Sequence, residues 1–146
     1  TLKGIDFSSV DAVVIHYGTN DYAANVPIDD TADDAKTTTV CGALRYSIRK
    51  LLTAYPKLKI YVSLPLYRMW DSVGAETHTN SLGKKLSEYN AAIEAVAAEF
   101  NLPVIDGYGR LGINALNDSA YSSDGTHLSD HGRRVFGELI GANLIW

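Results

Sequence analysis

The stretch DAVVIHYGTND, Asp11 to Asp21, decides how the rest of the chain is read. Its first part, Asp11 to Tyr17, is short, apolar and rich in β-branched residues, as expected of a strand buried in a parallel sheet. Gly18 ends that run, because glycine permits a turn that an ordinary side chain opposes. Working outward, Val40, Leu44, Ile48, Leu51, Leu52 and Tyr55 recur at helical spacing until Pro56 stops them. KIYVSLP, Lys59 to Pro65, reads as a second strand. Leu82, Leu86, Tyr89, Ile93, Val96 and Phe100 step by three and four, which predicts a helix beginning near Leu82. LPVID, Leu102 to Asp106, supplies a third strand. Ser129 is placed to cap a last helix whose apolar face is Val135, Phe136, Leu139 and Ile140.

Strands alternating with helices of this length imply an α/β fold with a parallel sheet covered by helices. Right-handed crossovers bring the three post-strand loops to one edge of that sheet. Open sheets of this kind bind ligands there, at the carboxyl ends of their strands. The three loops carry GTND, PLYRMWD and YSSDGTHLSDHG, so the chemistry-bearing residues gather on one rim.

Composition narrows the function classes. The chain of 146 residues suits one domain, residues 1–146, with no internal repeat or linker. A net charge of -4 and the lack of a basic run give no electrostatic reason to expect nucleic acid. Apolar runs as short as AVVI exclude a membrane-spanning helix. The single cysteine, Cys41, excludes an internal disulfide and a multi-cysteine zinc site, and its helical surroundings make it a small core residue.

On the rim, Asp124 and His127 lie three residues apart across Gly125 and Thr126. A tight turn would bring the carboxylate to one imidazole nitrogen and leave the other to accept a proton. An exposed polar loop with a helix cap is the plainer alternative for the same residues. His131, inside the first turn of the last helix, reads as surface, and His16 as a satisfied buried histidine. Asn20 is either part of an Asx-type turn or an amide donor for a developing oxyanion. Tyr67 and Trp70 either line a pocket or pack against a neighbouring loop. Arg68 either meets an anionic substrate group or joins a surface ion pair. Asp106 is expected to bond loop backbone. Metal binding by His16, Asp124, His127 and His131 lacks any recognised ligand spacing.

Together these pieces resemble the SGNH, or GDSL-type, hydrolase family. DAVVIHYGTND is similar to its Gly-x-Asn-Asp block, here Gly18, Asn20 and Asp21, and DGTHLSDHG to its Asp-x-x-His block, here Asp124 and His127. Order and spacing match over nearly the whole chain. The resemblance implies a flavodoxin-like, three-layer α/β/α fold and ester hydrolysis by a serine nucleophile without metal or cofactor. It makes His127 the base, Asp124 its orienting partner and Asn20 an oxyanion donor, with Gly18 and Asp21 supporting that loop.

The family's Gly-Asp-Ser block is absent, and the Gly-x-Ser-x-Gly elbow of other hydrolases is absent too. Ser8 and Ser9 precede the first strand, and nothing builds a nucleophile turn around Ser122 or Ser123. The chain is therefore expected to be the carboxyl-terminal part of such a domain. An amino-terminal segment of the same domain would carry the first strands and the serine, and this chain alone would be inactive. The expected substrate is a small-molecule or carbohydrate ester with a small acyl group, and Tyr67, Arg68 and Trp70 are candidates to bind it. The alternative is a non-catalytic carbohydrate- or surface-binding module that retains the fold.

Overall fold

The computed structural model describes residues 5–29 and 37–144. A single 3-10 turn, Phe7–Ser9, leads into β1 (Ala12–His16) and the short helix α1 (Thr19–Ala23). Helix α2 (Val40–Ala54), β2 (Lys59–Ser63) and a hairpin of β3 (Met69–Trp70) and β4 (Val73–Gly74) follow. Then come α3 (Leu86–Glu99), β5 (Val104–Ile105), α4 (Gly107–Arg110), α5 (Asp118–Tyr121) and α6 (Asp130–Asn143).

The main sheet is parallel, in the order β1-β2-β5. Its register runs from Ala12 opposite Lys59 to His16 opposite Ser63. On the other side, Val62 stands opposite Val104. Side chains alternate between faces along a strand, so each strand feeds two layers. Val13 and Ile15 of β1, with Ile60 and Val62 of β2, face the layer formed by α2 and α3. His16 and Ser63 point the other way, where His16 stacks on Phe136 of α6 with ring centres 5.1 Å apart. The result is the expected three-layer α/β/α arrangement.

The α2–α3 layer holds the core: Val40, Leu44 and Ile48 of α2 and Leu86, Tyr89, Ile93 and Val96 of α3 are all buried. Helix α2 starts where Thr39 accepts a hydrogen bond from the Gly42 amide at 3.1 Å. Arg45 ties it to α3 by a two-pronged bond to Glu99, at 2.9 and 2.7 Å. Cys41 lies in this core, its thiol pKa pushed up to about 11 mainly by burial and then by Asp29.

Two sequence expectations are corrected here. The third helix begins at Leu86, not near Leu82, and Leu82 is exposed. The Asn80 carbonyl accepts the Leu82 and Lys84 amides at 3.0 and 3.1 Å, and Gly83 takes a positive φ of 71°. That side-chain turn outcompetes the helical geometry which the apolar spacing suggested. His16 is satisfied by Ser63 at 3.0 Å but only partly covered rather than buried: Phe136 packs on its ring, while β1, an edge strand among the described residues, leaves its outer side open. Ser129 caps α6 as expected, accepting the Gly132 amide at 3.2 Å.

Candidate active site

The turn that ends β1 is set by Gly18. Its φ is 114°, and a Cβ there would come within 2.9 Å of both Ile93 Cδ1 and Pro65 Cγ. Only glycine meets both demands without displacing the core. The backbone leaves this turn as α1, a helical turn and a half rather than an Asx turn, with the Gly18 carbonyl accepting the Tyr22 amide at 2.9 Å. Asn20 and Asp21 thus stand beyond the carboxyl end of β1.

The loop between α5 and α6 is pinned from two sides. The Ser123 amide bonds the His127 carbonyl at 2.9 Å, and the Met69 amide bonds the Gly125 carbonyl at 2.8 Å. Gly125 has a φ of 81°, and a Cβ there would lie 2.8 Å from Met69 Cβ. Inside this turn one Asp124 oxygen accepts the amides of Thr126 and His127, at 2.9 and 2.7 Å. The other oxygen meets His127 Nδ1 at 2.7 Å. These bonds, those to His127 first, hold the Asp124 carboxyl well below the usual carboxylate range, so it is an anion at any ordinary pH. With Nδ1 occupied, Nε2 is the imidazole nitrogen left to exchange a proton. The His127 side chain is 78% exposed.

A cavity of about 330 Å³ joins these elements; it is lined by His16, Tyr17, Gly18, Thr19, Asn20, Asp21, Arg68, Thr126 and His127. The structure therefore brings together His127, Asn20, Gly18, Asp21 and Arg68, with Asp124 directly behind His127. It adds His16, Tyr17, Thr19 and Thr126, which the sequence reading did not place there. For three of them the signal was present: Tyr17 and Thr19 adjoin Gly18, and Thr126 adjoins His127.

Tyr67 and Trp70 do not reach this cavity. The Tyr67 ring is buried and its hydroxyl bonds Glu76 at 2.5 Å. Trp70 packs on Tyr22 and stacks on His78, with ring centres 4.8 and 5.0 Å away, in a separate pocket of about 200 Å³.

The serines hold other posts. Ser122 is buried, and Ser123 donates to the His127 carbonyl at 3.2 Å. Ser8 borders a different cavity, with Phe7, Tyr55 and Leu58, before the amino ends of the strands. Asp106 accepts the Gly109 amide at 2.8 Å, the backbone role expected of it. Among the described residues, no group of three or more histidine, cysteine or acidic side chains could hold a metal ion, and no helix is long and apolar enough to cross a membrane.

A parallel sheet between two helical layers, with a cavity at the strand carboxyl ends, is an α/β/α fold with its cavity where such sheets bind ligands. The sequence profile of the GDSL-like Lipase/Acylhydrolase family matches residues 3–135, and the chain belongs to that family of ester hydrolases. One solved crystal structure is 28% identical, with a TM-score of 0.84 over 97% of this chain and 66% of its own. A Lactobacillus plantarum protein is 26% identical, with a TM-score of 0.81 over 93% of this chain and 69% of its own. A peptidoglycan O-acetylesterase, 23% identical over 90% of this chain and 36% of its own, shares the fold with a TM-score of 0.68. The chain thus spans about two thirds of the length of the first two. No curated protein matches it.

Proposed function

We propose that this chain is the base-bearing part of an esterase that hydrolyses small acyl esters through an acyl-enzyme, O-acetyl groups of carbohydrate among them. The observation that carries this reading is the 2.7 Å contact between Asp124 and His127 Nδ1, on a cavity shared with Asn20. Binding alone needs neither a base nor its orienting carboxylate, which favours an enzyme over a carbohydrate-binding module.

The nucleophile is a serine brought by a segment of the same domain outside this stretch. Two threonines and no serine line the cavity among the described residues, and the chain covers 66% and 69% of two longer relatives. Serine Oγ attacks the ester carbon as its proton passes to His127 Nε2. The carbonyl oxygen becomes an oxyanion that accepts a hydrogen bond from the Asn20 amide, and Asp124 stabilises the imidazolium. Collapse of the intermediate expels the alcohol with the proton from His127. Water then attacks the acyl-serine by the same route and releases the acid.

The test combines intact mass, p-nitrophenyl acetate turnover and a serine-reactive fluorophosphonate on one purified sample. The expected result is a second peptide, or additional sequence on this chain, that carries the phosphonate while turnover stops. Turnover by residues 1–146 alone, with the label inside them, would overturn the split-site reading. A sample of any length that neither turns over nor labels would leave the binding module.

A further inference from the structure

Arg68 is the feature of the cavity that ester hydrolysis leaves unused. It lies in the connection from β2 to β3, is only 9% exposed, and still forms part of the wall that holds His127 and Asn20. Among the described residues its Nε–H has no hydrogen-bond partner, although it is shielded from water. Asp118 and Asp124 act on the guanidinium through space, but Asp124 is committed to His127 and two backbone amides. Burial disfavours the charged form of Arg68 and outweighs the help from both aspartates. Arginine does not lose its proton in proteins, so the cation remains, held in the wall with a donor unspent.

An orphaned buried donor on a cationic side chain is rare and costly, and calls for a partner that the described residues do not supply. The chemistry that completes a guanidinium best is a planar oxyanion accepting two parallel hydrogen bonds. A neutral ester carbonyl would satisfy one donor and leave the charge uncompensated. His16, on the same wall, is itself held toward its neutral form, first by desolvation and then by Arg68, so it brings no second cation to this wall.

We infer that Arg68 is a specificity residue, and that the ester bound beside His127 carries a carboxylate which the guanidinium receives. The ester part of this statement rests on the proposed function; the anion part rests on Arg68 alone. The carboxylate belongs either to the acyl group, as in a dicarboxylic half-ester, or to the alcohol, as in an acylated hydroxy acid.

Binding to the full chain, read by NMR on the histidine ring signals, tests this without turnover. The probes are methyl hydrogen succinate against dimethyl succinate, and O-acetyl-lactate against its methyl ester. Wild type is expected to bind one acid about tenfold more tightly than its neutral partner, the size of a charge-assisted hydrogen bond. Which pair shows the preference assigns the carboxylate to the acyl or the alcohol side. Arg68→Gln should erase the preference while leaving the backbone spectrum intact, and Arg68→Lys should restore part of it. Equal binding within both pairs, or a preference that survives Arg68→Gln, would overturn the inference. Failure of the fluorophosphonate experiment would leave these results unchanged, so the two readings fail separately.

Discussion

The two faces of the sheet are finished to different degrees. Against one face, α2 and α3 bring Ile48, Ile93 and Val96 to complete burial. Against the other, Val135, Phe136, Leu139 and Ile140 of α6 remain half-buried, and among the described residues β1 carries no neighbour on its outer side. An apolar parallel strand normally lies inside a sheet, where both faces and both edges are covered. The finished face holds the fold together, while the proposed chemistry lies at the end of edge strand β1. His127, Asn20 and His16 share one cavity there, and the proposed serine-bearing segment would dock beside it.

Substitution of His127 is the largest expected effect and separates the two faces most sharply. In the serine-complete esterase, His127→Ala should lower p-nitrophenyl acetate turnover on the order of 10³- to 10⁴-fold, by loss of the general base. Its side chain is mostly exposed, so urea denaturation should show almost no change in stability. A large loss of stability would place His127 in the fold rather than in the chemistry.

Truncation on each face measures the contrast directly. Ile93→Ala, at a site fully buried between α2 and α3, should cost about 2–5 kcal/mol in urea unfolding. Phe136→Ala, half-buried on α6, should cost this chain about 1 kcal/mol, because less area returns to water. The difference should shrink once the serine-bearing segment is present and covers α6. Equal losses in the chain alone would break the comparison.

Gly18 belongs to both regions, since it starts the proposed oxyanion loop while lying against Ile93 and Pro65. Gly18→Ala should cost about 1–3 kcal/mol, through its positive φ and the two contacts at 2.9 Å. Activity should fall with it as Asn20 shifts. Unchanged melting with full activity would show that the turn yields more easily than its packing suggests.

The finished face was the legible one. Apolar residues at helical spacing on α2, and from Leu86 onward on α3, are the direct signature of a single partner surface. Leu82 misled because spacing is blind to the Asn80 side chain, which takes over the amides a helix would need. The rim was legible as a set of loops, because parallel connectivity sends every loop after a strand to the same edge. Its internal geometry was less so. Tyr67 and Trp70 stand within two residues of Arg68, yet Tyr67 turns into the core beside Glu76 and Trp70 packs on Tyr22 and His78. Arg68 read equally well as a surface ion pair; only the structure shows it buried, lining the cavity of His127, with its Nε–H unpartnered among the described residues.

The smallest expected effect concerns His16, on the exposed edge. Desolvation first, and the Arg68 charge second, hold its pKa below the ordinary 6.5, while its bond to Ser63 opposes them. A histidine with a depressed folded pKa is protonated more readily in the unfolded chain. Stability therefore rises with pH across the window between the folded pKa and 6.5, and falls as pH drops through it. His16→Gln removes that titration and keeps a hydrogen-bonding group for Ser63, so the melting temperature should vary less between pH 7.5 and about 5.5 than in wild type. A strand docked on β1 would cover the imidazole further and steepen the wild-type dependence, because desolvation is the leading cause of the shift. Should the wild-type slope instead flatten when the serine-bearing segment binds, that segment supplies His16 with a carboxylate or another partner for its charged form, and the uncovered edge is electrostatically as well as sterically unfinished.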